Sequence, residues 1–266
     1  MTHGDGSQII QTDTINKFIG RIHKEHKDFE VNMAEDVIGI IGAMEEEIDK
    51  LYSAMEEKDT VKYAGWTFYK GRLMGRQVII VRSGIGKVNM AACAQVMISV
   101  FNVQFLINTG VAGSLDAKID IGDIVISTDC IQHDMDAVAF GYEPGVIPQM
   151  DCSVFVADER ARKLAVSLCK EVNTDIHVHE GRVLSGDVFV ADKAKKDYLV
   201  SQFEGKCTEM EGAAMAQVAY INKIPYLVIR AISDKADDSA NMDYGQFEIE
   251  AIKHMVGLVK GLVSAI

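Results

Sequence analysis

The stretch VIGIIGAMEEEIDKLYSAM, residues 37–55, passes from an apolar run through Gly42 into a helical pattern, and its reading decides the fold. Val37–Ile41 is rich in β-branched residues and leaves no polar face, which predicts a strand covered on both sides of a sheet. Apolar residues at three- and four-residue spacing then predict a helix over Glu45–Met55. Working outward, further strands are expected at Thr67–Leu73, Gln77–Ser83, Phe105–Thr109, Asp123–Thr128, Glu180–Ser185 and Tyr226–Ile232. Helices are expected at Lys87–Phe101, Asp158–Glu171, Lys193–Phe203, Met210–Asn222 and Tyr244–Ser264. The link Met74-Gly75-Arg76 predicts a hairpin, so the sheet should be mixed. The expected fold is α/β, a single-domain three-layer α/β/α sandwich around a central mixed sheet.

Composition narrows the function. The chain has 266 residues, 48% of them hydrophobic, enough for a substantial core. Its 27 Lys and Arg against 39 Asp and Glu give a net charge of -12, which argues against nucleic acid or an acidic membrane surface as a partner. Five Cys with no C-x-x-C pair argue against a disulfide framework or a structural zinc site. Without a membrane-length apolar run or a signal-peptide pattern, a cytoplasmic protein is expected. Residues 1–32 read as an N-terminal extension, with Ile15, Phe18, Ile19 and Ile22 at helical spacing: either a docked helix or a frayed segment. The domain itself is expected over 33–266.

Ligands of α/β sheets gather at the carboxyl ends of strands, so the residues just after each strand are the candidates for chemistry. Glu45, Glu46 and Glu47 open a helix, where acids meet the helix dipole, but a rotation of about 100° per residue lets only one face a pocket squarely. Ser83-Gly84-Ile85-Gly86-Lys87 resembles a phosphate cradle but lacks the spacing of either glycine fingerprint, and suits equally a neutral ligand approaching the backbone. The small residues Gly110-Val111-Ala112-Gly113 allow close approach of a chain segment or a ligand. Arg230-Ala231-Ile232-Ser233-Asp234 places a carboxylate at a strand tip, as a turn cap or a general acid. Glu209 and Glu211 are two apart and should diverge, one entering a pocket and the other solvated; a carboxylate there suits the diol of a ribose. His177 and His179 read as a solvated edge, and His133, Asp134 and Asp136 as loop polarity in preference to a metal site.

Eight segments in one register carry a resemblance: IGIIGAMEEEID (38–49), VRSGIGKVNMA (81–91), INTGVAGSL (107–115), IGDIVIS (121–127), AFGYEPGVIP (139–148), SGDVFV (185–190), TEMEGAA (208–214) and VIRAISDKAD (228–237). Together they resemble the nucleoside phosphorylase/nucleosidase superfamily, most closely its 5'-methylthioadenosine/S-adenosylhomocysteine nucleosidases. The resemblance implies a nucleoside phosphorylase-like fold and hydrolysis of an N-glycosidic bond with no metal or other cofactor. By that resemblance Glu47 activates water with help from Arg230, Glu211 grips the ribose hydroxyls, and Asp234, beside Ser233, protonates purine nitrogen 7. Phe189 and Val190 then hold the adenine, Ala112 and Gly113 floor the pocket, and Met44, Ile85 and Met210 line the ribose and 5'-substituent region. Val111 stands where many relatives carry Ser, and Tyr244, over the 5'-group, where many carry Phe. Ala137, Phe140 and Pro148 belong to a segment that crosses a two-fold interface to complete the neighbour's pocket, which implies a homodimer acting on small 5'-thioadenosine nucleosides. The alternatives weighed are a nucleosidase for another 5'-substituted adenosine such as aminodeoxyfutalosine, a purine nucleoside phosphorylase, and a non-catalytic nucleoside sensor. Gly42–Leu51 holds three Glu and no Arg, which disfavours phosphate as the nucleophile.

Overall fold

The computed structural model describes residues 36–266, without the side chains of 241–246 and 248–251. The extension expected over 1–32 lies outside the described residues. Strand β1 (Val37–Gly42) is buried from its second residue onward, as an apolar run with no polar face requires, and helix α1 (Glu45–Ser53) follows it. β1 pairs in parallel with β4 (Arg76–Arg82) on one side and β5 (Val103–Ser114) on the other.

The hairpin is present: β3 (Trp66–Leu73) runs antiparallel to β4, and Met74 and Gly75 between them both have positive φ, the requirement of a tight primed turn. A second hairpin was not expected. β2 (Glu56–Tyr63) pairs with β3 at the sheet edge through Ala64-Gly65, again both at positive φ. Its sequence EEKDTVKY is almost wholly exposed, so no apolar period marks it; charges on an open edge also discourage pairing with another chain.

The remaining strands extend the mixed sheet that was expected and curl it back on itself. β10 (Tyr226–Asp234), buried throughout, lies parallel to β5 and antiparallel to β6 (Ile124–Gln132), which also pairs with the short β7 (Phe155–Val156). β6 pairs with β8 (Val178–Ser185), β8 with β9 (Cys207–Glu209), and β9 returns to β5. Five strands thus close into a ring, and β1, β4, β3 and β2 fan out from β5. Helices cover the sheet: α2 (Lys87–Phe101) packs on α5 (Gly212–Asn222), and α6 (Ala240–Ala265) packs on α1, α3 (Glu159–Val172) and β10. Helix α4 (Lys193–Phe203) closes a smaller apolar cluster with Leu184 and Val190. The helix expected from Met210 starts at Gly212, because residues 207–209 are spent on β9. His179 is only partly solvated: its ring lies 3.0 Å from the buried Asp123, while His177 is exposed. No helix of the described residues is long and apolar enough to cross a membrane.

Candidate active site

Ring closure brings the carboxyl ends of β1, β5 and β10 together with β9 around one cavity of about 490 Å³. Eleven of the residues singled out line it: Met44, Glu47, Ile85, Val111, Ala112, Gly113, Phe189, Met210, Glu211, Ser233 and Asp234. Ala43, Thr208 and Glu209 join them, and of these Glu209 is a polar residue that the sequence reading did not place there. Val190 and Ala137 are buried outside the cavity, Phe140 is 85% exposed on a 3-10 turn (Val138–Phe140), and Pro148 is half-buried. The side chain of Tyr244 lies outside the described residues. Arg230 is completely buried but sits behind the lining.

Glu47 is the one member of its triplet that turns inward; Glu45 and Glu46 face solvent. One carboxylate oxygen accepts the N–H groups of Ala43 (2.6 Å) and Met44 (3.0 Å), capping the helix that carries it, and the other accepts the N–H of Val111 (3.3 Å). The contact between Glu47 and residue 111 is made by the backbone N–H and needs no hydroxyl there. Burial raises the Glu47 pKa, against the pull of the Arg230 charge and the three N–H donors. Gly110 is required here: a β-carbon would lie 2.5 Å from Glu47 Oε1 and 2.9 Å from Arg230 Nη1. The cluster Asn108–Ser114 is part of strand β5 itself, with glycines where side chains from α1 and β10 cross it.

The expectation that one of Glu209 and Glu211 would be solvated is overturned: both are buried. They do not sit on one helix. Glu209 ends β9 and Glu211 is the N-cap of α5, so helical divergence does not apply. Glu209 accepts hydrogen bonds from Arg230, from the Ser185 hydroxyl, and from the N–H groups of Glu211 (3.0 Å) and Gly212 (2.7 Å). Arg230 also donates to Asn108, whose amide donates to Ile41 O at 2.9 Å. The guanidinium is thus bound to Glu209 in a buried ion pair that ties β10 to β9. Glu211 accepts the N–H of Gly86 at 2.7 Å, so the glycine-bracketed turn holds a carboxylate of its own chain. Burial and then the adjacent Glu209 charge raise the Glu211 pKa, with Arg230 and Gly86 opposing.

Asp234, 2% exposed, lines the same cavity. Its oxygens accept the Ser233 hydroxyl at 2.9 Å and the Ala236 N–H at 2.8 Å. Gly113 lets it come this close, since a β-carbon there would stand 2.6 Å from Asp234 Oδ1. Phe189 presents a half-exposed ring at the rim. Four carboxylates therefore face one cavity, and no Lys, Arg or His is among the described residues lining it. Such a field welcomes developing positive charge and hydrogen-bond donors, and repels anions.

This α/β ring with acids at its strand ends belongs to a known class: the model of the phosphorylase superfamily matches residues 37–264, and the chain is a member of that superfamily. Within it, a 5'-methylthioadenosine/S-adenosylhomocysteine nucleosidase of Geobacillus sp. (strain WCH70) is 41% identical over 230 residues, 86% of this chain and 98% of the relative. A solved nucleosidase of the same name from Neisseria meningitidis, in complex with methylthio-immucillin-A, has a TM-score of 0.83 at 34% identity, covering 87% of this chain and 100% of that one. A futalosine hydrolase of Helicobacter pylori strain 26695 also has a TM-score of 0.83, at 35% identity, covering 88% of this chain and 100% of its own.

Proposed function

We propose that this protein hydrolyses the N-glycosidic bond of 5'-methylthioadenosine and S-adenosylhomocysteine, releasing adenine and the 5-thioribose product. The observation that carries the reading is the cavity in which Glu47, Glu211 and Asp234 converge from distant parts of the chain with no lining cation. Adenine leaves poorly as an anion. Asp234 gives a proton to nitrogen 7 as the glycosidic electron pair moves onto the base, and the sugar becomes oxocarbenium-like. General acid catalysis of this kind contributes roughly 10² to 10⁴-fold. Glu211 accepts the ribose hydroxyls, and the surplus of acid around it stabilises the cationic sugar. Glu47, fixed by three backbone N–H groups, takes a proton from the water that attacks the anomeric carbon. Phosphate as the nucleophile would meet four carboxylates and no lining cation.

The apolar side chains of Met44, Ile85 and Met210 in the lining support a thioether at the 5'-carbon, each buried methyl group being worth roughly 0.8 kcal/mol. The likeness to a futalosine hydrolase supports a second reading, another 5'-substituted adenosine as substrate, with the same acids in the same roles. The domain is proposed to span 33–266 and to work as a homodimer in the cytoplasm, with residues 137–148 completing the partner's pocket. Support for the interface comes from the exposed apolar side chains of Val138 and Phe140, and for the compartment from five free cysteines.

The deciding experiment is incubation with methylthioadenosine in phosphate-free buffer and identification of the sugar product. Free methylthioribose with a rate indifferent to added phosphate is expected. A sugar 1-phosphate that forms only with phosphate would replace hydrolysis by phosphorolysis. Preference for aminodeoxyfutalosine in the same assay would select the second reading.

A further inference from the structure

Outside the carboxylate cavity, a second polar cluster ties together three loops that the proposed chemistry does not itself use. Helix α2 begins at Gly86, which has no side chain to cap it. Its first two N–H groups are bound from far away in the chain: Gly86 N–H by Glu211, and Lys87 N–H by Asp187 Oδ1 at 2.8 Å. Lys87 is a cation at a helix N-terminus, where the dipole disfavours it, and its side chain is only 17% exposed. Its ammonium reaches Asp134 Oδ1 at 2.6 Å and Gln132 Oε1 at 3.0 Å. Asp134 completes the circuit by accepting the Asp187 N–H at 2.9 Å through Oδ2. Gly186 marks how tightly the loops close, because a β-carbon there would lie 2.4 Å from the ring of the buried His133 and 3.2 Å from Asp134 Cγ.

We infer that Lys87, Asp134 and Asp187 form a positioning clamp that sets the distance between the base-binding wall at Phe189 and the ribose carboxylate Glu211. Phe189 follows Asp187 by two residues, and Glu211 hangs on the N–H next to Lys87, so both walls of the cavity are referred to one ammonium group. The assignment of those walls rests on the proposed nucleosidase reading, while the clamp itself rests on the hydrogen-bonded circuit. A wall displaced as a unit weakens ground state and transition state alike, which raises KM and spares kcat.

The test compares wild type with Lys87→Met, Lys87→Arg and Asp134→Asn. It measures kcat and KM for methylthioadenosine, and amide exchange of peptides covering 84–90 and 184–190. Lys87→Met and Asp134→Asn are expected to raise KM about tenfold with kcat changed less than about threefold, the signature of lost uniform binding. Exchange should quicken in the two peptides and not in the β-ring. Lys87→Arg keeps the cation and should recover most of the affinity. The double variant Lys87→Met/Asp134→Asn should cost little more than either single one, since both open the same circuit. Unchanged KM together with unchanged exchange in Lys87→Met would overturn the clamp, as would a loss that Lys87→Arg does not restore. A wild-type protein that leaves methylthioadenosine intact, with the two peptides still loosened in Lys87→Met, would overturn the nucleosidase reading and leave the clamp standing.

Discussion

The two ends of the cavity hold their carboxylates in opposite company. At the end proposed for the sugar, Glu47, Glu209 and Glu211 surround one guanidinium, that of Arg230, and burial drives Glu47 and Glu211 toward their neutral forms. At the end proposed for the base, Asp234 has a hydroxyl and a backbone N–H as partners. The first arrangement groups three acids around a single cation; the second holds one group in a fixed direction. Acids proposed to stabilise a cationic sugar can share a cation, whereas an acid proposed to deliver a proton gains from being held in one direction.

The largest expected effect comes from breaking the base end. Asp234→Asn should lower kcat by roughly 10² to 10⁴-fold while leaving binding of adenine measurable by calorimetry. Near-normal turnover would remove Asp234 from the mechanism. Glu47→Gln should cost kcat about 10²-fold in a protein that still folds cooperatively, since the amide keeps an oxygen for the Ala43 and Met44 N–H groups but cannot take a proton. Unaltered hydrolysis there would assign water activation elsewhere.

Breaking the sugar end should instead show first in stability. Glu209→Gln leaves Arg230 buried without its bound carboxylate, a change expected to cost about 3 kcal/mol in urea unfolding. A loss well under about 1 kcal/mol would mean that Glu47 and Glu211 suffice to hold the guanidinium. The smallest effect sharpens the contrast through pH. Because burial raises the Glu47 and Glu211 pKa values above the ordinary 4.5, the folded chain binds more protons than the unfolded one over that interval. Their contribution to stability is complete below the ordinary value and is lost as pH rises through the raised ones. Urea midpoints taken from about pH 5 to about pH 8 should therefore fall, and Glu211→Gln should flatten the slope. A wild-type profile that rises across the interval would contradict the assignment.

Much of the sheet was legible because its strands are apolar on both faces and its helices keep their spacing. The edge strand β2 was not, since EEKDTVKY meets water along nearly its whole length and burial never shaped its pattern. Helical rotation showed that only one of Glu45, Glu46 and Glu47 could turn inward, and the resemblance, not the rotation, picked Glu47. Glu209 was not, because the rule applied to it belongs to helices and the residue lies on a strand three residues long. The small residues of 110–113 were legible as a place of close approach, but not that the approaching groups would be side chains from β10 and α1.

Residue order by itself determined the alternation of strand and helix, the tight Met74-Gly75 hairpin and the presence of acids just beyond the strands. Those depend on periodicity and backbone preference, which act over a few neighbours. The tertiary structure decided that β9 and β10 close a ring against β5, that Glu209 holds Arg230, and that Asp187 caps a helix 100 residues away. These are pairings between groups with no local reason to meet; only the packed sheet, by excluding water from its strand ends, makes each buried charge and N–H find its partner.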